Sequence, residues 1–334
     1  MPLVTDRNAV LDIYAGAAER GWVIPAFCSE NLTTTEAVLA AALEAGRRVG
    51  REDLPITLAL TNLYSHRSQS VYYTHTRQWE IGLKLFMADL KVLTDAGSPF
   101  EKLKVMAHLD HVQHNLDHEL LGWDMAPFSS IMFDASALPF EENIAATARF
   151  VAARGKEIVI EGACDEIVDA TGEEVSAMTT PEKAQPYFSR TGVDMAVANL
   201  GTEHRASDAQ LKYRGDLARR IKARIGARIV LHGCSSVTAD QIGDLFEDGI
   251  CKVNIWTALE RESAPPLLES MMKNAAKVAG AGRARQWTEA GLLGPKADLA
   301  SPPSLSHYTT TYRQEIVFAE MKRIVAEYLR LWFK

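Results

Sequence analysis

The chain has 334 residues, of which 47% are hydrophobic, and it carries a formal net charge of -7 at pH 7. This length exceeds the usual size of one domain unless the chain folds as an α/β barrel, a class that often runs past ~200 residues as one unit. The acidic balance gives no electrostatic reason to expect a nucleic-acid partner or an anionic membrane surface, so a small molecule is the expected partner.

The four cysteines, at positions 28, 164, 234 and 251, form no C-x-x-C pair. Neither a disulfide framework nor a thiolate zinc site is therefore indicated, and a reducing cytoplasm is the expected location. The first residues lack the features of a signal peptide, and no apolar run approaches the ~20 residues that span a bilayer. We expect a soluble protein with no membrane contact.

Apolar runs alternate with amphipathic stretches up to about residue 260. The runs predict eight buried strands, at residues 22–27, 55–60, 105–111, 130–134, 157–162, 194–199, 228–232 and 250–254. Helical periodicity and capping signals predict helices between them, with Thr33/Glu36 and Thr238/Gln241 as two N-terminal caps. The polar and aromatic segment 64–75 is predicted to be a loop at the functional face.

Eight strands that alternate with helices predict a (β/α)₈ TIM barrel in residues 1–260, with a doubly wound sheet as the second choice. Residues 261–334 are predicted to be a C-terminal helical extension, in which an irregular stretch precedes a helix at 313–333. The apolar face of that helix is wide enough to need a partner surface. The extension is expected to pack on the barrel or on a partner subunit, in a homodimer or homotetramer.

The third strand ends in His108, Asp110 and His111. At a period of two, His108 and Asp110 point to one side, and His111 begins the following loop. One interpretation is a metal-binding imidazole beside a carboxylate that moves protons, and the other is a pair of structural histidines hydrogen-bonded to a capping aspartate. This stretch alone does not decide between them.

The barrel brings other residues to the same place, because catalytic groups in this fold come from the carboxyl ends of different strands. His204 follows strand 6 and His232 ends strand 7, so these two histidines and His111 meet at one rim, as a zinc site with three imidazoles and an open fourth position requires. Asp134 and Glu161 end strands 4 and 5 and add carboxylates there, unless they are helix caps or ion pairs.

Six short motifs carry a resemblance to a known family, and they occur in its order. They are His108-Leu109-Asp110-His111, Phe133-Asp134-Ala135-Ser136 with residues 138–143, Thr191-Gly192-Val193-Asp194, Gly201-Thr202-Glu203-His204, Leu231-His232-Gly233 and Lys252-Val253-Asn254-Ile255. From about Val23 to Leu259 the chain resembles the class II (zinc-dependent) ketose-bisphosphate aldolases. The resemblance implies a lyase that cleaves or forms a carbon–carbon bond of a ketose or ketose phosphate.

In that family the histidines that match His111, His204 and His232 bind zinc, which polarises the ketose carbonyl and stabilises the enediolate. The glutamate that matches Glu161 lies near the metal. Imidazole also suits cobalt, manganese and iron, so the resemblance does not fix the ion.

The resemblance also implies the residues that move protons. The aspartate that matches Asp110 takes the proton from the hydroxyl whose oxygen becomes the aldehyde, and it should stay ionised next to a dication. A glutamate on the loop after strand 5 exchanges the proton at the nucleophilic carbon. Glu166 is the predicted residue, and Asp165 and Glu174 remain open because the alignment of this loop is loose.

The positions that bind phosphate depart from the family pattern. A glycine after the second histidine, a Gly-Gly-Ser-Gly turn and an Asn-x-Asp-Thr/Ser segment are usual there. The predicted substrate contacts in this chain are Gly201, Arg205, Gly233, Ser235, Asn254, Trp256, Thr257 and Cys28, the last of which replaces a usual asparagine.

These changes predict a donor that lacks the usual terminal phosphate or carries another group there. Arg205 could instead offer a fork to a phosphate or carboxylate. A third alternative is that Arg205 is a solvated charge and that Ser235, Asn254 and Thr257 preserve the phosphate cradle. The same groups could also serve a metal-dependent sugar epimerase or isomerase, or a non-catalytic sugar-binding relative.

Overall fold

The structure is a computed structural model, which describes residues 3–165, 178–202 and 212–334. Eight parallel strands close into a barrel in chain order, which confirms the predicted (β/α)₈ fold. The strands are β1 (Ile24–Cys28), β2 (Pro55–Thr61), β3 (Lys104–Gln113), β4 (Ser130–Asp134), β5 (Val159–Ala163), β6 (Met195–Val197), β7 (Ile229–Leu231) and β8 (Ile250–Ile255).

Helices follow most of the strands and cover the outside of the barrel. The α-helices of the described residues are α1 (Arg7–Glu19), α2 (Leu32–Arg48), α3 (Gln69–Tyr72), α4 (Trp79–Leu93), α5 (His118–Leu121), α6 (Phe140–Arg154), α7 (Pro181–Thr191), α8 (Gly215–Ile225), α9 (Thr257–Lys273), α10 (Ala275–Ala279), α11 (Ala281–Glu289), α12 (Leu305–Tyr308) and α13 (Thr310–Trp332). Because helices cover one face of the sheet and interior side chains the other, β1, β2, β4 and β5 are buried along their whole length.

The C-terminal segment packs on the barrel. Helix α13 lies against α2 and α9. Its end is held by polar contacts as well: the Trp332 indole donates to the carbonyl of Ile242 at 2.8 Å, and Arg48 donates to the carbonyls of Leu329 and Phe333 at 3.2 and 3.0 Å. The predicted domain boundary at residue 260 lies inside α9, which continues from β8 without a linker.

Two predicted helix starts differ from the structure. Helix α2 begins at Leu32, and its cap is Asn31, whose side chain accepts from the backbone N–H of Thr34 at 3.2 Å. The helix predicted to start at Thr238 is absent, and turns follow that residue. Gln241 donates to the Thr238 hydroxyl at 2.9 Å, so these polar side chains satisfy each other in a turn without a helix.

The loop predicted at residues 64–75 contains the single-turn helix α3. Within the described residues, no helix combines the length and the apolar character needed to cross a membrane.

Candidate active site

A bulge in β3 sets the directions of two side chains of the site. Leu109 pairs with Ile131, and Val112 pairs with Phe133. Between these two pairs β3 advances by three residues and β4 by two, so β3 contains one extra residue. His111 lies in this bulge with a φ of 46°, a left-handed conformation that is uncommon for a residue with a side chain. In a regular strand Asp110 and His111 would face opposite sides, whereas here both line one cavity at the barrel mouth. The prediction that His111 begins a loop is therefore wrong, because β3 continues to Gln113.

Asp110, His111 and His232 form a buried cluster of possible metal ligands. One ligand atom from each lies within 4.8 Å of the others, and the His111 Nε2 to His232 Nδ1 distance is 3.1 Å. Imidazole nitrogen with carboxylate oxygen is a donor set that suits zinc and several other divalent ions. The third predicted histidine, His204, lies outside the described residues.

Asp134 orients the imidazole of His111. Its Oδ2 lies 3.0 Å from His111 Nδ1, and Gln113 and Ser136 donate to the same carboxylate at 2.9 and 2.6 Å. Burial acts to raise the pKa of Asp134, but the hydrogen bond and charge of His111 hold it at about 2. When His111 is neutral, a hydrogen bond from its Nδ1–H to this carboxylate leaves the Nε2 lone pair for a metal ion.

Asp110 lies on β3, and its side chain contacts residues of β1 and β8. The side-chain amide of Asn254 donates to its Oδ1 at 2.9 Å, and the Cys28 thiol approaches its Oδ2 at 3.5 Å. Burial opposes ionisation of this carboxyl group, yet the neighbouring His111 holds the pKa of Asp110 well below its ordinary value. Asp110 is therefore ionised and can accept a proton.

Glu161 does not lie in this cluster. Its carboxylate pairs with the Lys252 ammonium at 2.8 Å, and both side chains are fully buried. Strand β5 continues to Ala163, and Ala163 is the residue that lines a cavity beside the mouth. The prediction that Glu161 ends strand 5 is therefore wrong, and in this structure its carboxylate pairs with Lys252.

The predicted substrate contacts are mostly brought together. A cavity of roughly 530 Å³ contains the three cluster residues, and its wall also includes Cys28, Gly233, Ser235, Asn254, Trp256 and Thr257. Gly201 follows the end of β6 by four residues and has a φ of 83°, and its N–H donates to the Asn199 side chain at 3.1 Å. Glu166 and Arg205 lie outside the described residues.

Asp165, one of the open alternatives for the loop carboxylate, forms an ion pair with Lys183. It lines a second cavity, which adjoins the first along the ring of Tyr64. The carboxylate of Asp165, paired with Lys183, therefore lies next to the site and just after β5.

Residues of the segment after β2 complete the cavity and were not assigned individually from the sequence. The Tyr64 ring stacks on His111, with centroids 4.2 Å apart and planes 2° apart, and His66 stacks on Tyr64 at 4.6 Å. Arg67 lines the same cavity, and its Nε donates to Glu30 at 3.1 Å. The polar and aromatic composition of residues 64–75 indicated the functional face, but it has no periodicity from which side-chain directions follow.

A parallel barrel whose strand ends hold a buried nitrogen and oxygen donor set is typical of metal-dependent barrel enzymes. Residues 8–330 match the family described as fructose-bisphosphate aldolase class-II. The chain belongs to this family, and its enzyme class is therefore lyase.

Curated relatives agree with this assignment. A fructose-bisphosphate aldolase from Staphylococcus epidermidis is 28% identical over 282 residues, which cover 80% of this chain and 86% of the relative. The fructose-bisphosphate aldolase of Staphylococcus aureus is 28% identical over 277 residues, which cover 79% and 84%.

Solved structures share the fold across almost the whole chain. The fructose-bisphosphate aldolase of Campylobacter jejuni gives a TM-score of 0.76 at 18% identity, covering 99% of this chain and 95% of that one. The YdjI aldolase of Escherichia coli K12 gives 0.64 at 19% identity, with coverages of 99% and 97%.

Proposed function

We propose that this lyase is a metal-dependent ketose aldolase whose donor ends in a group other than the usual terminal phosphate. One observation carries the proposal: Asp110, His111 and His232 converge at one end of a cavity whose wall includes the indole of Trp256. The three-residue cluster supports cleavage of a carbon–carbon bond beside a carbonyl. The indole of Trp256 bears on which ketose the cavity accepts.

His111 and His232 are the proposed metal ligands, with His204 as the third by resemblance to the family. Zinc is the proposed ion, and cobalt or manganese would fit the same donors. When bound, the ion supplies Lewis-acid polarisation of the ketose carbonyl. The bond between Asp134 and His111 supports this assignment, because a metal-binding imidazole needs its second nitrogen held by an acceptor.

Asp110 is the proposed base. In the cleavage direction its carboxylate accepts the proton of the substrate hydroxyl, whose oxygen then becomes the carbonyl oxygen of the released aldehyde. Because Oδ1 accepts from Asn254, Oδ2 is the oxygen directed to the substrate, with the weakly bonding Cys28 thiol beside it. Return of a proton to the nucleophilic carbon is assigned to Glu166, by resemblance to the family.

The wall near Trp256 supports an altered donor. The indole packs on Cys28, Ala26 and Ala59, and its N–H has no hydrogen-bond partner among the described residues. A phosphate dianion needs several converging donors, and the indole of Trp256 offers a single N–H. Arg67 is the cation that the described wall contributes, and the carboxylate of Glu30 already balances its charge.

A retro-aldol assay on a panel of phosphorylated and unphosphorylated ketoses tests both parts of the proposal. The zinc-loaded enzyme is incubated with each ketose, and the released aldehyde is measured by a coupled reduction. Asp110→Asn, which keeps the shape of the side chain and removes its basicity, is the negative control and should lose ~10²–10⁴-fold in kcat.

We expect aldehyde release to be fastest from ketoses without the usual terminal phosphate. A strong preference for fructose 1,6-bisphosphate would contradict the altered donor and leave the aldolase assignment intact. Interconversion of ketoses without any aldehyde would contradict the aldolase assignment itself.

A further inference from the structure

A lysine is buried in the barrel directly below the site. Lys252 of β8 has no exposed surface, and its Nζ donates to Glu161 Oε2 at 3.0 Å and to Asn254 Oδ1 at 2.8 Å and lies 3.2 Å from His108 Nε2. An ammonium group has three N–H donors and no lone pair. These three neighbours therefore account for all of its donors, and each of them must accept a hydrogen bond.

The first consequence concerns the side-chain amide of Asn254. Because its oxygen faces the ammonium, its nitrogen must face Asp110, and the Nδ2 to Oδ1 distance is 2.9 Å. The flipped amide would place an NH₂ group against the ammonium and a carbonyl against the carboxylate, and both contacts are repulsive. Lys252 thus fixes the orientation in which Asn254 donates to Asp110.

The second consequence concerns the protonation of His108. Its Nε2 accepts from Lys252, so the neutral ring carries its proton on Nδ1, which lies 2.8 Å from the Ser130 hydroxyl. The distance from His108 Nε2 to Asp110 Oδ1 is 3.6 Å, which is too long for a hydrogen bond. His108 therefore belongs to the lysine network and not to the metal cluster.

Glu161 is the counter-ion of this network. A lone charge in the barrel interior is unfavourable because it loses its hydration, and the carboxylate of Glu161 offsets that loss for the Lys252 ammonium. The ion pair with Lys252 thus accounts for a fully buried carboxylate on β5.

We propose that Lys252 is a positioning residue for the aldolase reaction. Through the amide of Asn254 it holds the Asp110 carboxylate with Oδ1 occupied and Oδ2 directed to the substrate, and through Nε2 it fixes the tautomer of His108. This inference rests on the proposed role of Asp110 as the base.

The test separates positioning from stability. Lys252→Met alone leaves Glu161 as an unpaired buried charge and is expected to destabilise the fold, so the informative variant is the double replacement Glu161→Gln/Lys252→Met, in which neither charge remains. Val253→Ala is the matched control, since Val253 is a fully buried neighbour on the same strand that contributes no polar group to the network. Thermal unfolding of the zinc-loaded proteins establishes that each variant is folded.

We expect the double variant to lose ~10–100-fold in kcat with KM changed less than ~threefold, because a base displaced by a fraction of an ångström binds substrate but aligns poorly. Val253→Ala should keep its kcat despite a lower Tm. A folded double variant with kcat within about twofold of wild type would overturn the proposal.

A second readout does not depend on turnover. Nitrogen-15 NMR of labelled histidines, assigned by comparison with His108→Gln, reports the tautomer of His108. We expect the Nδ1–H form in the wild type and a substantial Nε2–H population in the double variant, and an unchanged tautomer would overturn the proposal. If the wild type cleaves no ketose, the proposed function fails, while this measurement still decides whether Lys252 organises the network.

Discussion

Removing the charge of Asp134 should weaken metal binding without altering the ligands themselves. Asp134→Asn keeps the size of the side chain but replaces the carboxylate oxygen that lies 3.0 Å from His111 Nδ1. A hydrogen bond to a charged acceptor contributes about 1.5–3 kcal/mol, which corresponds to roughly a 10–100-fold change in an equilibrium constant. Replacing the group that accepts a hydrogen bond from a metal-binding histidine typically lowers the metal affinity by the same factor, roughly 10–100-fold. We therefore expect the zinc dissociation constant to rise ~10–100-fold.

The assay is a competition titration, in which the metal-free protein and a chromophoric chelator share a limiting amount of zinc at constant pH. Asp248→Asn is the matched control, because Asp248 and Asp134 are equally buried, at 7% and 6% exposure, and Asp248 bonds to Tyr213 and Arg219 instead of a cluster residue. Its zinc affinity should match the wild type. If Asp134→Asn also binds zinc within threefold of the wild type, His111 is not held for a metal through Asp134.

Three further results are expected. Chelation should abolish aldehyde release and lower the Tm, because an ion bound only by the folded state stabilises it, and added zinc should restore both. Glu161→Gln should keep the wild-type zinc affinity within about threefold in the same competition titration, since Glu161 pairs with Lys252. Burial and the charge of Glu30 raise the pKa of Glu260 from 4.5 to about 7, so the folded chain holds a proton there that the unfolded chain releases between these pH values. Stability should therefore fall as pH rises through this window, by up to about 3 kcal/mol, and urea unfolding at pH 5 and pH 8 should show the loss in the wild type but not in Glu260→Gln.

The barrel could be predicted because its signal is repeated and local. Each strand is an apolar run of a few residues, buried by the helices outside and the neighbouring strands beside it. Each strand and its following helix can therefore be predicted from their own sequence alone. Capping signals were less reliable. Thr238 and Gln241 form the expected polar pair, but the pair closes a turn, since a capping motif describes local hydrogen bonding and does not ensure that a helix continues.

The site was predictable in its chemistry and less so in its directions. The predicted strand ends identified residues that meet at the mouth. The bulge at His111 could not be predicted, because it depends on how β3 pairs with β4, which local sequence does not encode. For the same reason Glu161 was expected at the end of β5, whereas the pairing of β5 with β6 extends to Ala163. Arg67 and Tyr64 enter the cavity from a segment without regular periodicity, so only its location could be anticipated.

The packing of α13 on α2 has a consequence for how the protein is made. Arg48 and Leu329, which are hydrogen-bonded, are 281 residues apart in the chain, and synthesis proceeds at ~5–20 residues per second. The apolar side of α2 must therefore wait tens of seconds on the ribosome before its covering helix exists. A nascent chain in this interval exposes a surface that chaperones recognise, and we expect truncations before α13 to aggregate during expression even though all eight strands are present.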